Sequence, residues 1–436
     1  LIMFFGCDKT GEDPVTKPGP DTEKPAPEPE KPSDKDPEPP VEEPGIKPFT
    51  PADVKDGGVA YIWDTNVIPE ITIKVTKDEW NSFLKRYDEY SNNADFFHCD
   101  VTYKKGIEVS TITDAGFRMR GNTSRRRPEG WNGQMHSSNA DWHHCHFTVN
   151  LRKYHKDDDH TIYGIRKMNL KWHKDDPCYV REMYCYDLFR RYGIWTAPFD
   201  TYCRLWIHVE GDKKPAYFGV YEMIEPIDEE YVERRENQFE NDRGNLWKCV
   251  YGNAGMADLR HAEDWRFNYD KNDGVNYTYE YKGDKENFEQ ARAQFQDFIT
   301  KLNTLNNEDF YNWIVSVCDV KMLMKTYAVN VAVGMWDDHW NNGNNFYLYF
   351  NSTDKSRYKV FFIPYDYDNT LGTSADCGIH GDSGRVNPYK WGKDGILVER
   401  LLEFAPFRKM YKDAFLELIE PENELFDMDA SIARIR

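Results

Sequence analysis

Two short segments hold the residues best able to do chemistry. The first is Trp336-Asp337-Asp338-His339-Trp340-Asn341-Asn342-Gly343-Asn344-Asn345, and the second is Ile363-Pro364-Tyr365-Asp366-Tyr367-Asp368. Apolar runs at 345–350 and 358–365, separated by the polar stretch 351–357, read as a β-hairpin. An antiparallel hairpin returns its second strand to the end where its first began. The spacing therefore predicts Asp366 and Asp368 beside Asp337, Asp338, Asn342 and Asn345. Carboxylates crowded in this way repel one another unless a cation joins them. Hard oxygen donors in this number suit Mg2+ or Mn2+ better than zinc.

An Asp, an Asn five residues later and a further Asp after a hairpin form a layout used for phosphoryl transfer. One Asp takes the proton of the attacking hydroxyl, while the Asn and the other Asp hold metal. Asp337 and Asn342 have that spacing. A structural calcium site or an Asx-rich turn is the plainer alternative. A second candidate is Arg118-Met119-Arg120-Gly121-Asn122-Thr123-Ser124-Arg125-Arg126-Arg127. Its Gly, small hydroxyls and guanidinium groups can cradle phosphates, and a solvated basic turn fits the same pattern. A third segment, Ala216 to Asp228, runs from a strand into an acidic turn. It fits either a hinge between two lobes or an edge strand with its loop. The tract His143-His144-Cys145-His146, with His98, Cys99 and His136 elsewhere, has transition-metal ligands. Neighbours on a strand face opposite ways, so a structural cluster is the preferred reading.

The elements that must position these groups follow from periodicity. Alternation predicts strands at 71–75, 115–120, 146–151, 202–209 and 216–222, and a helix covers 77–86. The clearest helix has Asp176 as cap, Pro177 in its first turn and Gly193 as its stop. A short helix is expected at 229–237 and an irregular polar insertion at 250–287. Longer helices are expected at 287–303 and 308–334, the latter in two pieces with Asp319 capping the second. The chain is helical again from about 395. Strands dominate first and helices later, an α+β plan with two lobes.

With 75 acidic against 56 basic residues, the net charge of -19 argues against nucleic-acid polymers and anionic membrane surfaces as partners. Nine cysteines include no CxxC pair, which removes zinc ribbons and thioredoxin-type sites; disulfides and buried free thiols both remain open. Residues 1–7 end an apolar run in Gly-Cys, as a lipoprotein signal peptide does, with Cys7 the acylated residue. Residues 8–50 hold 12 of the 23 prolines and 18 charged residues, the composition of an extended tether. The globular domain is expected over 51–436. This arrangement predicts an extracytoplasmic protein anchored by lipid to a bacterial membrane, on its periplasmic face or at the cell surface. An aromatic content of 15% leaves a second function open, a surface module for polysaccharide or protein. Trp131, Trp142, Trp172, Trp195 and Trp206 are its candidate platforms.

Taken in order, these segments resemble the spore coat protein H (CotH) kinase family over about residues 70–420. The resembling pieces are Arg118 to Ser124, Lys171 to Gly193 with Asp176-Pro177 and Arg181-Glu182, Phe218 to Glu225, Asp337 to Tyr349 and Ile363 to Asp368. The resemblance implies a two-lobed atypical protein-kinase-like fold, with a strand-rich N-terminal lobe at about 59–225 and a mainly helical C-terminal lobe at about 226–436. It implies a phosphotransferase that moves the γ-phosphate of ATP to protein Ser or Thr with Mg2+ or Mn2+. By the same analogy Asp337 is the catalytic Asp, with Asp338 the contender. Asn342, Asn345, Asp366 and Asp368 serve the metal. Arg118, Arg120, Asn122, Ser124, Lys171, Glu182, Glu222 and Glu225 serve the nucleotide, Glu182 by orienting a phosphate-binding lysine. At the position where relatives carry that lysine this chain has Asn150; Lys153, Lys171 and Lys248 are the substitutes. A catalytically degenerate relative that binds polysaccharide or protein is the alternative.

Overall fold

A computed structural model describes residues 45–436 except 56–57, 138–140, 158, 270–276 and 374–386. Cys7 and most of the expected tether lie outside the described residues. The compact unit begins at Gly45, earlier than the boundary expected at 51. Phe49 explains the difference: it is buried, stacks on Phe199 and donates its N–H to Arg190.

After a short helix α1 (Val59–Trp63), seven strands build a closed barrel: β1 (Glu70–Val75), β2 (Phe97–Lys105), β3 (Glu108–Arg120), β4 (His146–Asn150), β5 (Lys167–Lys171), β6 (Asp200–Val209) and β7 (Ala216–Ile224). The strand order is β1-β2-β3-β4-β5-β7-β6, and a parallel pairing of β1 with β6 closes it. Alternate residues such as Ile71, Ile73, Val101, Phe117, Val149, Leu170 and Ile207 fill one core. Helix α2 (Lys77–Glu89), capped by Thr76, adds Trp80 and Phe83 to it.

The second sheet has five strands: β8 (Asn245–Cys249), β9 (Phe267–Asn268), β10 (Tyr279–Tyr281), β11 (Phe346–Phe350) and β12 (Val360–Pro364), in the order β12-β11-β8-β10-β9. Its hairpin pairs Phe346 with Pro364 and Phe350 with Val360. Every residue of β11 and β12 is buried, because one face packs on a helical core and the other on a smaller cluster around Tyr231, Phe239 and Phe361. Covering on both faces is why these strands read as continuous apolar runs.

Helix α3 (Arg181–Arg191) follows β5, and α4 (Glu229–Arg234) and α5 (Glu236–Phe239) follow β7. Helices α6 (Phe288–Thr304), α7 (Asn307–Val317) and α8 (Val320–Ala332) precede the one-turn α9 (His339–Asn342), and Asp319 caps α8 as expected. Among the described residues three more helices, Ile396–Leu402, Ala405–Ile419 and Met428–Ile435, follow in the helix-rich second half. The architecture therefore mixes α and β elements, strands first. No helix among the described residues is long and apolar enough to cross a membrane.

Two expectations need correction. The helix α3 starts at Arg181, not at Pro177. Tyr179 takes a positive φ of 61°, which interrupts the helix, and Asp176 instead accepts the N–H groups of Cys178, Val180 and Arg181 in the turn before it. Gly193 does end α3, at φ 79°, and a Cβ there would meet the Lys47 carbonyl at 2.8 Å. The stretch 250–287 is only partly irregular: Val250 follows β8 directly, and the short β9 and β10 extend its sheet. The seven cysteines among the described residues are all free.

Candidate functional site

Lys171 is the last residue of β5 and lies opposite Glu222 of β7. Its ammonium group meets carboxylates from two directions. Glu182, in the first turn of α3, pairs with it, and so does Asp366 just beyond β12; Asp368 stands 3.2 Å away. One oxygen from each of Glu182, Asp366 and Asp368 lies within 4.8 Å of the others, a set able to hold a metal ion. The surroundings fix this geometry. Tyr186, one turn after Glu182, hydrogen-bonds Glu182 at 3.2 Å and accepts the Asp366 N–H at 2.8 Å. The Tyr367 N–H donates to the same Glu182 oxygen, Oε1, at 3.2 Å. Asp366 itself has a left-handed backbone, φ 63°, which turns the chain out of β12.

Burial opposes every charge here, so the partners decide the balance. It pulls the Lys171 ammonium down, but Asp366, Asp368, Glu182 and Glu222 outweigh it and hold the group well above the usual lysine range. It pushes Asp366 up, but Lys171 and Arg120 outweigh it and hold that carboxyl below its usual range. Asp368 and Glu182 are left above theirs, burial being the larger influence despite Lys171.

In the first acidic segment, Asp337 lies near enough to Asp366 to feel its charge. Asp337 accepts the side-chain amides of Asn342 at 2.6 Å, Asn344 at 3.0 and 3.1 Å, and Asn345 at 2.9 Å. Burial raises its carboxyl above the usual range; these amides pull against that, and nearby Asp366 adds to it. Asp338 does something different. It is 2% exposed, accepts the Asn341 N–H at 2.8 Å as the cap of α9, and takes the Asn330 amide at 3.2 Å. Burial pushes it up to about 7. Asp366 is among the charges that act on Asp337, whereas Asp338 caps α9 and holds the loop in shape.

The basic residues divide. Arg120 donates to the Tyr365 hydroxyl and feels Asp366 and Glu182, so it belongs to the cluster. Lys248 of β8 lies over the Tyr365 ring at 5.6 Å, lowered by burial and steadied by Glu280, with Arg120 and Asp366 also in range. Arg118 stands two residues from Arg120 on β3, over the Phe96 ring, and burial draws it down to about 10. Asn122 is exposed, and the Ser124 hydroxyl folds under Gly121 where a Cβ would stand; neither is in contact with the carboxylates. The Asn150 side chain accepts the Arg152 N–H, and Lys153 sits over Phe96. Lys171, one strand further on, holds the position beside Glu182.

Two acids from the third segment have internal duties. Glu222 is 1% exposed, pushed well above its usual range by burial, with Glu182 and Asp200 as neighbours. Glu225 receives both guanidinium arms of Arg235, at 2.9 and 2.8 Å, and the Phe199 N–H at 3.0 Å. Its oxygens serve this buried clamp rather than a nucleotide. The histidine tract is structural, as preferred: His146 accepts the Trp172 N–H, His144 stacks on Trp172 and His143 bridges Arg127 and Asp141. Among the five candidate platforms Trp131 is exposed, whereas Trp142, Trp172 and Trp195 pack against the barrel core.

Sequence reasoning misses Tyr186, Tyr365 and Asn344. Tyr186 had a signal, since it follows Glu182 by four residues and so shares its helix face. Asn344 lay in the acidic segment itself, and its side-chain Oδ1 also accepts the Tyr251 N–H at 2.8 Å.

The model of a family described as CotH kinase protein matches residues 117–435. No curated protein matches the chain. The matched stretch includes Arg118, Arg120, Lys171, Glu182, Asp337 and Asp366, that is, both halves of the charged cluster and the strands that carry them. The chain belongs to the CotH kinase protein family.

Proposed function

We propose that this chain is an atypical kinase-like phosphotransferase, moving the γ-phosphate of ATP to a protein Ser or Thr hydroxyl with Mg2+ or Mn2+. The observation that carries the reading is the position of Lys171, paired with Glu182 of α3 and set against Asp366 and Asp368. A strand-borne lysine paired with a helix-borne glutamate, facing a metal-binding aspartate, is the arrangement that kinases use to hold phosphates. In this reading the barrel with α3 forms one lobe and the second sheet with α6 to α9 the other.

The residues present fit a divalent cation. Glu182, Asp366 and Asp368 supply hard oxygens within reach of one ion, and the amide oxygens of Asn342 and Asn345 are neutral donors of the same kind. When bound, the cation would screen the negative charge of the phosphates. Lys171, Arg120 and Lys248 offer the matching positive charges, with Arg118 at the rim. Asp337 is the base. Its carboxyl, raised by burial, accepts the proton of the attacking hydroxyl as the new oxygen–phosphorus bond forms and ADP leaves. The three amides that grip Asp337 hold it in place for this step. The acceptor is a protein, and the apolar Gly-Cys start with its Pro-rich tether supports lipid anchoring through Cys7 on the outer side of a bacterial membrane.

The test is incubation of the full chain with labelled ATP and Mg2+ or Mn2+, beside Asp366→Ala. Label on the wild type and none on the variant is the expected result. No label, with no nucleotide-dependent rise in melting temperature, would sink the reading and leave a surface module for polysaccharide or protein.

A further inference from the structure

Lys171 does more than approach the metal-capable carboxylates; it touches all three of them. Its ammonium contacts Glu182, Asp366 and Asp368, and its side chain is 7% exposed. Glu222 stands across the strand pair behind it. One ammonium thus faces three carboxylates directly and offsets part of their charge, with Arg120 acting on the same cluster. A divalent ion placed among the same oxygens would meet that ammonium at a few ångströms, in surroundings where like charges repel strongly. Lys171 cannot simply withdraw, because a buried ammonium without an anion is costly. Its stem is flexible, however, and a phosphate oxygen beside the carboxylates gives it a replacement partner.

Resting on the kinase-like reading, we propose that Lys171 is a resident counter-cation that bars the divalent ion until phosphate arrives, so that ion and nucleotide load as a coupled pair. The coupling is reciprocal: whichever enters first lowers the barrier for the other. The inference concerns order and cooperativity of loading, which the identity of the ligand residues does not dictate.

The experiment follows the melting temperature of the full chain during titration with Mn2+ alone, with the β,γ-imido analogue of ATP alone, and with both; no turnover is required. For the wild type, Mn2+ alone should act only in the millimolar range, the weak end for carboxylate sites, and the two ligands together should exceed the sum of their separate shifts. In Lys171→Met, or Lys171→Gln should the first variant fail to fold, Mn2+ alone should act at a concentration at least tenfold lower, and the excess over additivity should vanish. Micromolar binding of Mn2+ alone to the wild type, or no gain in either variant, would overturn the inference while leaving the kinase-like reading intact. Absence of any response to any combination, in wild type and variants alike, would overturn both.

Discussion

Asp337 and Asp338 are neighbours in sequence with different physical tasks. Asp337 is gripped by three side-chain amides and sits near Asp366, whereas Asp338 is turned inward to cap α9. Asp337→Asn should lower kcat by about 10²–10⁴-fold, the usual contribution of a general base, while the melting temperature stays close to that of the wild type. Asp338→Ala should instead cost about 1 kcal/mol or more of stability, as the loss of a cap does, measurable by urea denaturation. Two adjacent acids are indistinguishable in a sequence, because which one turns inward depends on the Asn330 amide eight residues upstream on α8. A large activity loss in Asp338→Ala with unchanged stability would reverse the assignment.

The hairpin β11–β12 was legible because it is local. Its two apolar runs flank one turn, and the acidic segments lie immediately outside them, so pairing alone sets their proximity. The lysine was less legible. β5 has five residues, too few for a firm period, and residues 121–145 separate β3 from β4, which hides the strand count. Counting strands with β4 as the lysine strand leads to Asn150, whereas the lysine that pairs with Glu182 of α3 is Lys171 on β5. The alternation of Cys99, Val101 and Tyr103 is the signal for β2, a strand the periodicity argument above omits. Strands as short as β9 and β10 carry no period at all; β10 forms on the edge that β8 offers, and β9 on the edge of β10. The Glu225–Arg235 clamp belongs to this scale too. It joins the end of β7 to the start of α5, with Arg235 fully buried. Glu225→Ala strands that guanidinium inside the protein and should cost about 3–5 kcal/mol in equilibrium unfolding. A loss below 1 kcal/mol would mean that Arg235 finds solvent or another partner.

Across the molecule, the segment between β3 and β4 is tied down by a charge relay. His136 lies 2.9 Å from both Glu129 and Asp212, and Trp80 of α2 donates to the same Glu129. Burial lowers the imidazole, but the two carboxylates outweigh it and raise it above its ordinary value. Because the folded value exceeds that of the unfolded chain, about 6.5, the stabilisation is complete below that pH. It fades as the pH rises through the folded value. Wild-type stability should therefore fall, relative to His136→Gln, as the pH rises from about 6.5 through the raised folded value. A parallel pair of stability–pH curves would remove His136 from this role.

The parallel seam between β1 and β6 has a consequence in time rather than in energy. Glu70 pairs with Arg204 and Val75 with Val209, so the barrel closes only when segments more than a hundred residues apart in the chain meet. A chain emerging from the ribosome or a translocation channel has β1 and β2 available long before β6. Until then β1 presents an unpaired edge, the form in which strands recruit other chains. Distant pairings also form slowly, since the intervening loop must be closed first. A truncation ending before residue 200 should consequently aggregate during refolding, whereas one ending after β7 should retain a soluble barrel, and light scattering on the two fragments would tell them apart.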